Sequence, residues 1–74
     1  MKTELDQAIE IFESINLRIV DLCDKGTEIK DKELNSSGET MMTLREERIS
    51  IQGTIDILRK ELELAREHII SLSN

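Results

Sequence analysis

The sequence predicts an all-α protein, an antiparallel two-helix hairpin with coiled-coil-like packing. Three observations carry that prediction. Apolar residues recur at alternating steps of three and four along two long stretches, small turn-forming residues cluster between those stretches, and the aromatic residues, Pro and Gly of strands and their turns are nearly missing. With one Val, one Phe and no Tyr, Trp or Pro among 74 residues, a β-sandwich or barrel is excluded. A single cysteine, Cys23, leaves no disulfide scaffold, and apolar runs never exceed two residues, too few for a membrane span.

Helix one is expected over about residues 3–33. Its seam runs Leu5, Ala8, Phe12, Ile15, Ile19 and Leu22, then continues through Gly26 to Ile29. Thr3 and Asp6 stand at capping-box spacing at its start, with Asp in place of the usual Glu or Gln. Gly26, preceded by Lys25 and followed by Thr27, reads equally well as a helix end or as a tolerated glycine in a continuous helix. Beyond it Ile29 and Leu34 are the last apolar residues before the turn, so residues 27–34 are expected to pack weakly. The turn is placed at about 34–39, around Asn35-Ser36-Ser37-Gly38, where Ser36 and Glu39 have the spacing of a second capping box.

Helix two is expected over about 40–72. Its seam is Met41, Leu44, Arg48, Ile51, Ile55, Leu58, Leu62, Ala65, Ile69 and Leu72, interrupted only by the arginine. Antiparallel packing places positions whose numbers add to 77 in one layer. Leu5 then meets Leu72, Ala8 meets Ile69, Phe12 meets Ala65, Ile15 meets Leu62, Ile19 meets Leu58 and Leu22 meets Ile55. Large side chains face small ones twice, as a filled interior requires. The register also centres the turn close to where composition puts it.

More apolar residues are present than one seam can use. Met42, Ile49, Gly53, Ile57 and Leu64 follow each other at helical spacing down a second face of helix two, and Ile9 and Val20 lie off the seam of helix one. These residues form the candidate interaction face. They lead to the expectation of self-association into a dimer or higher oligomer, in the manner of a four-helix or larger bundle, and of a second protein as partner. Leu17 and Ile70 read as scattered surface apolar residues.

Charge narrows the partners. Ten Lys and Arg against 16 Asp and Glu give a net charge of −6, which opposes DNA and an anionic membrane. Asp6, Glu10, Glu13, Asp21 and Asp24 form a candidate acidic recognition stripe on helix one, suited to a basic protein surface or simply to solubility. In outline the hairpin resembles small two-helix dimers, a group that includes acidic RNA-binding hairpins, so RNA is disfavoured less strongly than DNA.

Chemistry is sparse. His68 and Cys23 are the only imidazole and thiol and occupy register positions that do not meet, so neither a metal site nor a nucleophile–base pair is expected, nor a cofactor or an enzyme. His68 reads as a helix-end cation, and Cys23 as a small core or interface residue suited to a reducing cytoplasm. Glu63 is expected to pair with Arg59 at i,i+4. Arg48, a charge on the seam, either pairs with Glu33 or, as its place near the hairpin end favours, extends its guanidinium to solvent. Gathered from several subunits, Arg45 and Arg48 would make a candidate anion mouth for a phosphate or nucleotide. Function is expected in one of three forms: a self-associating protein-interaction or regulatory module, an acidic inhibitor covering a basic nucleic-acid-binding surface, or an oligomer that sequesters a small anion.

Overall fold

In the computed structural model, which describes residues 2–73, the chain forms two helices, α1 (Glu4–Leu34) and α2 (Gly38–Ser73), packed against each other as a hairpin. The first helix starts where Thr3 supplies a cap. Its Oγ1 accepts the Asp6 N–H at 3.1 Å while the Thr3 N–H donates to Asp6 Oδ2 at 3.3 Å, so the shorter acid completes the box. Glu4 and Asp6 in the first turn and Lys32 in the last complement the helix dipole.

Gly26 does not break this helix. The Thr27 hydroxyl, a candidate to start a new turn, instead donates back to the Cys23 carbonyl at 3.0 Å, and α1 runs on to Leu34. The connection is three residues, Asn35 to Ser37, and Gly38 and Glu39 already belong to α2. The capping box expected of Ser36 and Glu39 is replaced by a different use of the serine. Ser36 Oγ donates to the Lys32 carbonyl at 2.7 Å and Asn35 Nδ2 to the Asp31 carbonyl at 2.9 Å. The final carbonyls of α1 lack partners within the helix, and these two side chains join the backbone N–H groups of Asn35 and Ser36, which donate to the Lys32 and Glu33 carbonyls at 3.2 Å. Gly38 then reverses the chain at φ 65°, a backbone conformation that costs any residue with a Cβ about 1–2 kcal/mol.

Within the two helices burial follows the seam and its extension to Glu33. Ala8, Ile19, Ile29, Ile55 and Leu58 form the buried apolar core, and Leu5, Phe12, Ile15, Leu22, Leu44, Ile51, Leu62, Ala65, Ile69 and Leu72 are half-buried along the same stripes. Ile19, Ile55 and Leu58 cluster at its centre with Ile15, Leu22, Ile51 and Leu62 around them, as the layers adding to 77 require. A Cβ placed on Gly26 would lie 3.9 Å from Ile51 Cγ2, which puts these two residues in one layer as well. The product is a rod of 54 × 19 × 13 Å, its length close to the roughly 1.5 Å per residue rise of the 36-residue second helix.

Two stability outcomes follow. Gly26→Ala should raise the unfolding free energy by about 0.5–1 kcal/mol in urea titration, because the added methyl meets Ile51 at ordinary contact distance and the helix loses a flexible residue. Leu58→Glu should abolish cooperative unfolding monitored by far-UV circular dichroism. It puts a carboxylate into the central layer of a core that supplies no more than roughly 3–5 kcal/mol in total.

Candidate interaction surface and the seam ion triad

The 3-4 spacing of α1 does not end at Ile29. Four residues further it reaches Glu33, and this carboxylate is buried, at 9% exposure. Arg48 Nε donates to Glu33 Oε2 at 2.9 Å and Arg45 Nε to Oε1 at 3.0 Å. Each carboxylate oxygen thus has its own guanidinium, and both arginines keep much of their surface in water. This corrects the expectation that Arg48 extends to solvent at the hairpin end. The carboxylate on the facing seam offers a charge-assisted bond within reach, and leaving it buried without a partner would cost more than bringing in the arginine. The triad also explains how residues 27–34 stay helical with so little apolar packing. Leu34 is 75% exposed, and the end of α1 is held through Ile29 and Glu33 instead.

The guanidiniums, Arg48 foremost and then Arg45, hold the Glu33 carboxyl below its ordinary value of 4.5 against the opposing push of desolvation. Arg45 and Arg48, the candidate anion mouth, are therefore brought together, but on a carboxylate of the same chain. Between the helices, on one side of Gly26, a shallow groove is lined by Cys23, Thr27, Lys30, Arg48 and Gln52.

The candidate interaction face lies open. Met42, Ile49, Ile57 and Leu64 are 59–66% exposed, and around Gly53 nothing lies within 4 Å of where a Cβ would stand. At 100° per residue these five positions fall within a narrow stripe on the side of α2 turned away from its seam. Ile9 and Val20 are also exposed, but they directly follow the seam residues Ala8 and Ile19 and so flank the α1 seam, on a different surface. Ile11, Leu17, Leu34 and Ile70 are further exposed apolar residues.

The acidic stripe is partly engaged. Asp6 caps α1 and Glu10 pairs with Lys2, while Glu13, Asp21 and Asp24 make no ion pair among the described residues. Glu63 pairs with Arg66 at 3.5 Å, three residues on, and not with Arg59. Cys23, expected in a core or interface, is exposed on the single chain because it lies one position past the seam residue Leu22. His68 is exposed too, and since α2 continues to Ser73 it precedes the last turn and does not cap the helix end. No group of three or more potential metal ligands occurs among the described residues, and no described helix is long and apolar enough to cross a membrane. The chain matches no family model, and comparison with curated proteins and with solved structures yields no match either.

Glu33→Gln gives a pH test of the triad. A carboxyl whose folded-state pKa is depressed contributes stability that is present above its unfolded value and lost as pH falls through the folded one. The native chain should therefore lose thermal stability as pH falls from just above 4.5 into the range below it, and the Gln variant should be less stable at neutral pH with a flatter profile across that window. Thermal melts between pH 3 and pH 7, roughly the window in which carboxyls titrate, measure both.

Proposed function

We propose that this chain is a non-enzymatic, acidic protein-interaction module that self-associates and acts by presenting helix faces to partner proteins. One observation carries the reading: Met42, Ile49, Ile57 and Leu64 stand exposed down one face of a helix whose opposite face already fills the hairpin seam. A solvated helix gains nothing from such a stripe, whereas helix-in-groove or bundle contacts are made from it. The small core supports the same reading. Five buried apolar side chains among the described residues make a modest reserve, and oligomerisation is a common supplement at this chain length.

The acidic-inhibitor reading draws on Glu13, Asp21 and Asp24, which have no ion partner within the described chain. It has fewer available carboxylates than the sequence pattern offers, since Asp6 and Glu10 are engaged. An anion-sequestering oligomer is supported least, because Glu33 already occupies the two arginines it would use.

Sedimentation velocity over a range of concentrations tests the leading reading. The native chain should sediment as a dimer or larger species. Ile57→Glu should shift it to a monomer with unchanged helical content, because Ile57 is exposed and outside the hairpin seam. A native chain that is monomeric at every concentration would refute the reading. Should a captured partner be released by 0.5 M salt, the acidic stripe is its binding surface, since exposed charges are screened there within roughly 4 Å.

A further inference from the structure

The stripe on α2 has a symmetry of its own, centred on Gly53. Four residues to either side stand Ile49 and Ile57, seven to either side Glu46 and Lys60, and eleven to either side Met42 and Leu64. Apolar faces apolar, acid faces base, and the centre is glycine. All seven residues are exposed on the single chain. The steps along the stripe are 4, 3, 4, 4, 3 and 4, so it stays nearly parallel to the helix axis over the roughly 33 Å from Met42 to Leu64.

We infer that a second copy of this chain covers the stripe, with the two α2 helices packed antiparallel about a two-fold axis at Gly53. The inference rests on the self-association proposed above and adds its occupant, orientation and register. In an isologous antiparallel pair, a residue a given number of steps before the axis faces the residue the same number of steps after it. Ile49 then meets Ile57, Met42 meets Leu64 and Glu46 meets Lys60, and each contact occurs twice. Gly53 meets its own copy, where the missing Cβ lets the backbones approach most closely.

Two further features fit this arrangement. The hairpin itself makes no demand for glycine at position 53, since nothing lies within 4 Å of a Cβ placed there, and an interior glycine weakens a helix relative to alanine. Charge complementarity sets the direction as well. A parallel in-register pair would place Glu46 beside Glu46 and Lys60 beside Lys60, whereas the antiparallel pair joins opposite charges at both ends. The pattern stops where like charges begin. Fourteen residues from the centre Glu39 would face Glu67, so the contact is confined to residues 42–64, beyond which helices crossing at an angle diverge. The result is a linear four-helix assembly, with the two α2 helices at its centre and an α1 on each outer side.

Charge reversal tests the register. Glu46→Lys would set two lysines face to face at each symmetric contact, and Lys60→Glu two glutamates. Each variant alone should self-associate roughly tenfold more weakly than the native chain in sedimentation equilibrium at low salt. Mixed one to one, the two variants should form a heterodimer at least as stable as the native dimer, because every facing pair is then complementary. The double variant should regain native affinity. Both positions are exposed, so helical content should stay native by circular dichroism. Single variants that associate as tightly as the native chain, or a mixture that fails to recover, would overturn this register and leave self-association standing. A native chain that never associates would overturn both.

Discussion

Ile19 packed against Ile55 and Leu58 is the contact on which the rest of this structure depends. With only two helices there is no second layer to correct an error in register. A slip of one position in either helix would expose the stripe and bury charge. Once these residues meet, Gly26 lies beside Ile51, the same spacing sets Phe12 opposite Ala65 and Ala8 opposite Ile69, and the length of the connection is determined. Three residues suffice because the donors of Asn35 and Ser36 close the end of α1 and Gly38 supplies the reversal.

The seam ends in charge, and that end is the least apolar part of the hairpin. Ile29 is its last buried hydrocarbon on α1, and Glu33 with Arg45 and Arg48 completes the packing near the turn. Both arginines stay partly in water, whereas the Glu33 carboxylate is buried, and a shifted register would leave that carboxylate without its partners. The apolar layers thus hold the helices together, and the triad near the turn penalises misalignment. It also uses up the two arginines that could otherwise have served an anion.

The division between what was legible in the sequence and what was not follows the range of the interactions. Periodicity identified both helices, their orientation and the pairing of layers, because one helix face repeats at fixed spacing whatever the partner. The Thr3–Asp6 cap was legible because both residues lie within one turn. Ser36 was not, since its hydroxyl chose between two helix ends that the sequence places on either side of it. Glu33 was missed as a seam member because the apolar pattern stops at Ile29. Continuing the spacing by one more step, onto a carboxylate opposite two arginines, is the signal that finds it.

Composition and spacing alone determined that this chain is helical, that it folds back once near residue 36, and that it carries more apolar surface than one hairpin can hide. These are properties of local periodicity and of a count of side chains. Tertiary structure decided that the helix passes unbroken through Gly26 beside Ile51 and that Arg48 turns inward to Glu33. Each of these outcomes depends on what the opposite helix places within a few ångströms, which no single stretch of sequence specifies.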